Sequence, residues 1–352
     1  MRDTPGTTPQ VTAAHGRPPG APGLVARGLV GLALLAAPAW VVATAGDVVA
    51  HQHRALTVLL VVAALAGVAV LVRVVVLARR RSARAVARTA AAPAAGTSGA
   101  VGRRGPASRV LAASGVTVGY LVLALLAGAV VWLRPFAATD DALAPLRSDD
   151  LVEVREESGW YAFVPQGPTS PTAGLVYSPG ARVDVRATAA VLRPLAEAGY
   201  LVVALKEPLG VALTSSAQSG QAIAAYPEID DWAVGGHSLG GVVASTYAAA
   251  NDDLVDGLLL HASYPMGDIS DADLRVASVS GSRDGLTTPA DVEASVADLP
   301  RGTTFTVVDG AVHAFFADYG PQPGDGEPTV TRARAQQEIT TADLALLGSL
   351  GD

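Results

Sequence analysis

Hydrophobic positions follow two different patterns along this chain. In the first third they form long unbroken runs. After about residue 159 they form short runs that alternate with amphipathic stretches. Residues 28–46 carry no charge and have Trp40 near their far end. Residues 55–78 are apolar except for Arg73, which lies close enough to the end of its run to reach the interface. Residues 110–133 are again uncharged, with Trp132 near the end. Each run approaches or exceeds the ~20 residues needed to cross the hydrocarbon core, so the pattern predicts three membrane-spanning helices.

The second pattern predicts an alternation of strands and helices. Strands are expected at 159–164, 173–177, 200–205, 232–235, 255–260, 276–280 and 304–308. Helices are expected at 184–198, 215–225, 239–250, 289–297 and 331–347. Gly199 stops the first of these, and Pro289 sits in the first turn of the fourth, where its missing N–H does no harm. The run 200–205 is apolar almost throughout, as in a parallel strand covered on both faces. Strands that alternate with helices imply an α/β domain, a mostly parallel sheet between two helix layers. The expected organisation is a disordered Pro/Gly/Thr-rich tail over 1–23 and a membrane region over 24–134. A charged linker over 135–158 and one α/β domain over 159–352 complete it.

Charge sharpens this division. Up to Arg134 there are 14 arginines against two acidic residues. Beyond it there are 11 Lys and Arg against 30 Asp and Glu, giving the net −7 of the whole chain. An acidic soluble part argues against nucleic-acid binding. With no cysteine in the chain, disulfides, thiolate chemistry and Cys-ligated zinc are excluded. The loop 79–109 carries eight arginines and the loop 47–54 only one. By the positive-inside rule the basic loop is cytoplasmic. The N-terminus is then inside, and everything after Leu133 lies outside a cell membrane. The middle of the basic loop, 90–102, is Ala/Gly/Ser/Pro-rich and expected to be flexible. Ala43-Thr44-Ala45 resembles a signal-peptidase site, but the first run is longer than a usual signal sequence, which favours an uncut span.

The most informative stretch is Asp231–Gly241. An apolar strand runs into Gly236-His237-Ser238-Leu239-Gly240, and a helix of small residues follows. A serine in a tight strand-to-helix turn has its hydroxyl pushed out above the sheet edge. The residues two away on each side must lack side chains to let strand and helix meet. The start of the helix points free N–H groups at whatever the serine binds. Such a serine needs a base, and the base needs an acid. In a parallel sheet these belong on loops at the C-terminal strand ends. Ser280-Gly-Ser-Arg-Asp284-Gly offers Asp284, and Asp309-Gly-Ala-Val-His313 offers His313. The weaker alternatives are His237, inside the turn itself, His261, at a strand end, and Asp309, too near His313 in sequence to reach around its ring.

The order Ser238, Asp284, His313 resembles that of the α/β-hydrolase superfamily, over roughly residues 159–350. Tyr-Ser-Pro-Gly-Ala-Arg-Val-Asp184, Leu-Ala-Glu-Ala-Gly-Tyr-Leu-Val-Val203, Gly-Gly-His-Ser-Leu-Gly-Gly241 and His-Ala-Phe-Phe-Ala-Asp-Tyr-Gly320 resemble small dienelactone-hydrolase-like members. The resemblance implies an α/β-hydrolase fold and a serine esterase in which Ser238 attacks, His313 moves the proton and Asp284 orients it. It also implies an oxyanion hole of two backbone N–H groups. One is that of Leu239. The other is placed at Ala181, with Gly180 as the alternative, in Pro179-Gly180-Ala181, where family members commonly carry His-Gly. No metal or organic cofactor is implied.

Only a short connection follows the strand at 255–260, so no large lid is expected and the cleft should be open. Tyr177, Tyr264 and Met266 are expected pocket walls. The loop 318–326 is expected to be a rigid surface turn. The expected partners are a small acyl ester and, through the spans, membrane lipid. Two other readings remain at this stage: an acyltransferase that uses the same serine, and a membrane-tethered interaction module without catalysis.

Overall fold

The structure is a computed structural model that describes residues 21–90, 106–168 and 170–351. The expected tail, up to residue 20, and the middle of the basic loop, from 91, lie outside the described residues. Three helices open the chain: α1 (Ala21–His51), α2 (Arg54–Ala90) and α3 (Pro106–Trp132). All three are long and apolar enough to cross a membrane, which suggests membrane association. Large apolar side chains such as Leu29, Val62, Leu65 and Leu125 remain exposed along them, as lipid-facing residues do.

The arginines at 79–84, expected in a loop, lie instead on the continuation of α2. Arginine is a good helix former, and nothing in that stretch breaks the helix. Ala43–Ala45 lies inside α1, at a kink where Ala45 leaves helical geometry.

The chain divides into two compact units. One gathers the described residues up to Ala37 with Ala63–Gly128. The other gathers Pro38–Val62 with the chain from Ala129 onward. In the first unit α1 and α2 meet at Gly31 and Gly67. A Cβ on Gly67 would come within 2.9 Å of the Gly31 carbonyl oxygen. Small residues at such crossings allow the close approach on which helix association in lipid depends.

The second unit holds an eight-stranded sheet: β1 (Val152–Glu156), β2 (Trp160–Pro165), β3 (Ala173–Ser178), β4 (Leu201–Leu205), β5 (Asp231–His237), β6 (Gly257–His261), β7 (Arg275–Gly281) and β8 (Thr304–Val308). Their order is β1-β2-β4-β3-β5-β6-β7-β8. The pairs β1–β2 and β2–β4 are antiparallel, and all others are parallel. The stretch 135–158, expected as a linker, therefore contributes the edge strand β1 and a 3-10 turn at Asp141–Leu146. Val152 is the only buried residue of β1, too weak an alternation to read as a strand.

Five helices complete the unit: α4 (Ala189–Glu197), α5 (Gln218–Ala224), α6 (Leu239–Ala250), α7 (Pro289–Ala294) and α8 (Arg332–Leu347). The expected helix at 184–198 is split. Asp184 caps a 3-10 turn by accepting from Arg186 N–H, and α4 starts after it.

The strand period of two assigns the faces. Leu175, Tyr177, Val202 and Leu259 join Val191, Leu195, Ala335 and Ile339 in one core. Val176, Val203, Val234 and Leu258 join Ile223, Ala244 and Ala248 in the other. Helices thus cover both faces of a mostly parallel sheet. No helix forms between β6 and β7, as expected for a fold without a large lid.

Candidate active site

The turn between β5 and α6 is tight enough to force Ser238 to φ 53°, ψ −125°, a conformation that side chains rarely accept. A Cβ on Gly236 would sit 2.5 Å from the Ser178 carbonyl oxygen, and one on Gly240 would collide with the same carbonyl. Glycine at both positions lets α6 start directly against the end of β3. The turn is tied down by Ser238 N–H donating to His261 O at 2.9 Å and by the Ser263 hydroxyl donating to Ser238 O at 2.7 Å. Ser238 and Leu239 remain partly accessible. Leu239 is the first residue of α6, so its N–H has no acceptor within its own helix.

Asp284 and His313 come from loops after β7 and β8 and meet there. His313 Nδ1 lies 2.8 Å from Asp284 Oδ2, and both side chains are buried. The other carboxylate oxygen of Asp284 accepts from the N–H groups of Leu286 and Thr287, each at 2.8 Å. A carboxylate only accepts, so the proton sits on Nδ1 and Nε2 is left as an acceptor, the tautomer a base requires. The His313 ring lies with its centroid 4.5 Å from that of His237, the residue just before Ser238. No hydrogen bond joins Ser238 to His313 among the described residues. In such sites that bond commonly tightens only with substrate.

The three other candidates sit in different surroundings. Asp309 accepts from the Ser282 hydroxyl at 2.9 Å. His237 is wholly buried beside Phe316, and neither of its ring nitrogens finds a well-formed hydrogen bond among the described residues. Burial, reinforced by His313 and His261, holds its pKa well below the usual histidine value, so the ring is neutral. His261 is also buried. It contacts the Tyr177 hydroxyl through Nδ1 at 2.9 Å and Asp343 Oδ1 through Nε2 at 2.7 Å.

That network corrects one expectation. Tyr177 is fully buried in the core and does not line a cleft, because its hydroxyl is satisfied inward by His261. Tyr264 is exposed, next to Ser263. Met266 is exposed too, but it lines a hollow with Thr246, Ala250 and Ile269 along the later turns of α6, away from the elbow. A cavity of about 690 Å³ lies between the N-terminal ends of β7 and β8 and helix α8, at the end of the sheet opposite Ser238.

Residues 174–338 match the model of the alpha/beta hydrolase family. Together with the sheet order and the elbow at Ser238, this decides the matter. This domain has the α/β-hydrolase fold. Two solved structures similar to the hydrolase domain are a putative dienelactone hydrolase from Klebsiella pneumoniae and Est1E from Butyrivibrio proteoclasticus. The first is 16% identical, covers 56% of this chain and 98% of its own, and has a TM-score of 0.43. The second is 11% identical, covers 56% and 99%, and has a TM-score of 0.43. No curated protein matches the sequence.

The structure also places residues at the candidate site that the sequence did not suggest. Both oxygens of Asp325 accept from the histidine loop, Oδ1 from His313 N–H at 3.0 Å and Oδ2 from Ala314 N–H at 2.9 Å. The loop 318–326, expected as a rigid surface loop, thus clamps the backbone that carries His313. On the other side, Ala181 lies in the turn after β3, closed by Val183 N–H donating to Gly180 O at 2.9 Å. Gly180 packs against the His237 ring, and a Cβ there would come within 2.6 Å of Nδ1. Behind this turn Glu207 is buried against Ser178, and burial pushes its pKa up to about 8.

Proposed function

We propose that this protein is a membrane-anchored serine hydrolase that cleaves a carboxylic ester or a related acyl bond. The observation that carries this reading is the buried Asp284–His313 pair, 2.8 Å apart and packed beside the strained turn that presents Ser238. His313 Nε2 takes the proton of Ser238 as the oxygen attacks the acyl carbonyl. Asp284 holds the ring in the required tautomer and stabilises the imidazolium. The N–H groups of Leu239 and Ala181 receive the developing oxyanion. His313 then protonates the leaving alcohol, which leaves an acyl ester on Ser238. Water, deprotonated by the same imidazole, attacks that ester and frees the acid. Every step is carried by groups of the chain itself.

The catalytic domain is assigned to the extracytoplasmic side of the cell membrane. Two features support this: the arginines concentrated between the second and third spans, and the grouping of the 38–62 hairpin tip with the sheet in one unit.

The test uses the full-length protein in detergent with a fluorophosphonate probe. Ser238 should be labelled and Ser238→Ala should not. A folded wild type that resists labelling and turns over no short p-nitrophenyl ester would contradict the proposal.

A further inference from the structure

Of the two oxyanion donors, the N–H of Leu239 is fixed by α6. The one at Ala181 lies in neither helix nor strand and depends on what holds the segment Pro179–Arg186. Part of that hold comes from the sheet domain itself. Arg182 N–H donates to Gly210 O at 2.6 Å. Phe136 N–H donates to Arg182 O at 2.7 Å, and Asp184 N–H to Phe136 O at 2.9 Å.

The rest comes from the membrane-proximal chain within the same compact unit. Gln52, in the turn between α1 and α2, is buried and donates from Nε2 to Val183 O at 3.2 Å. Its Oε1 faces Gly210, where a Cβ would stand 3.2 Å away. Asp47 pairs with Arg186 Nη1 at 2.7 Å, while Arg186 Nε and Nη2 are bound to Asp184. At the end of α3, Trp132 O accepts from Arg182 Nη1 at 2.6 Å, and the Arg182 guanidinium lies over the Trp132 ring.

The space between Gln52, Gly180, Val183, Glu207 and Gly210 amounts to only about 10 Å³, room for about one water. The Gln52 side chain thus fills the gap behind the segment.

We propose that the turn between α1 and α2 is a positioning element of the hydrolase site. In this view Gln52 and Asp47 hold Pro179–Arg186 so that the Ala181 N–H faces the acyl oxygen, and the membrane hairpin thereby sets the rate of acylation. The proposal rests on the serine-hydrolase reading for its catalytic consequence. It makes Gln52 and Asp47 positioning residues, because neither reaches the reacting atoms. A tether would need no buried amide on the backbone of the segment next to the nucleophile.

The experiment compares wild type, Gln52→Ala, Asp47→Asn and Asp47→Glu as full-length proteins in detergent micelles. It measures fluorophosphonate labelling rate, kcat and KM on a short p-nitrophenyl ester, and amide hydrogen exchange. Losing an oxyanion donor altogether costs about 10²–10³-fold in kcat, so a displaced donor in Gln52→Ala should slow labelling and kcat by about tenfold. KM should stay within about twofold, since the interaction belongs to the transition state. Amides of 179–186 should exchange faster while those of β5 and α6 do not. Asp47→Asn should show the same pattern more weakly, and Asp47→Glu should restore it.

Unchanged kcat in both variants would overturn the proposal, whatever the exchange shows. So would a loss of kcat accompanied by faster exchange throughout the sheet, since that is destabilisation. A wild type that is never labelled would overturn the hydrolase reading and the catalytic consequence with it. Exchange over 179–186 would still decide whether the turn holds the segment.

Discussion

Two aspartate–histidine pairs lie buried at the same end of the sheet, and they are built for different work. Asp284 and His313 are 2.8 Å apart, and Asp343 and His261 are 2.7 Å apart. Distance and burial do not separate them. The surroundings do. The second oxygen of Asp284 accepts from two backbone N–H groups. The second oxygen of Asp343 has no partner among the described residues, and burial raises its pKa. In the proposed mechanism the far nitrogen of His313 serves the elbow serine, whereas both nitrogens of His261 are spent on Asp343 and the core hydroxyl of Tyr177. A histidine held by an acid is therefore not yet a base. It becomes one when its acid is independently stabilised and its other nitrogen faces an accessible nucleophile.

The sharpest way to test this contrast is to change the two acids in parallel. Asp284→Asn should lower kcat by about 10⁴-fold by favouring the wrong tautomer of His313, with the fold retained. Asp343→Ala should leave kcat within about threefold. It strands a buried histidine nitrogen and should cost about 1–3 kcal/mol of stability, read from denaturant unfolding. Equal losses of activity in the two variants would erase the distinction.

Smaller effects should follow from the elements around the first pair. Asp325→Ala releases the His313 and Ala314 N–H groups, and misplacing a catalytic group by about 1 Å can cost 10²-fold. A fall in kcat of roughly 10- to 100-fold is expected, measured on the same ester.

Two buried titratable groups beside the elbow should shape stability rather than rate. Glu207 has a raised pKa in the fold. Its stabilising effect, relative to the unfolded chain, is therefore full below about pH 4.5 and fades as pH rises to about 8. Glu207→Gln should raise Tm increasingly across that window, and an equal shift at pH 4 and pH 8 would contradict this. His237 is depressed. Its neutral form favours the fold above about pH 6.5, and that advantage is lost as pH falls below it. Thermal melts of wild type between pH 7 and pH 4.5 should show the decline, and His237→Gln should flatten it.

Where pattern and chemistry were local, they could be read from residue order. Helix α6 and strand β8 have the bounds that the apolar period indicates, and Gly236 and Gly240 predicted a close approach at the turn, which the structure shows to be made against the end of β3. Strand β1 was illegible because only Val152 is buried in it. Asp343 left a trace that could have been followed. It lies four residues after Ile339 and three and four before Leu346 and Leu347, so a carboxylate occupies the apolar face of α8. Asp325 left none, since one acid in a Pro/Gly-rich loop looks like any other turn residue. Gln52 was equally silent. A polar residue between two spans reads as solvent-facing, and it is buried here only because the segment after β3 comes up against it.

Residue order alone thus dictated three apolar helices, an alternating α/β domain and a serine on a glycine-flanked turn, because each depends on neighbours within a few positions. Which carboxylate serves which imidazole, and which amide props the loop beside the nucleophile, was settled by folding. Those contacts join residues between 29 and 131 positions apart, and no local period records such a meeting.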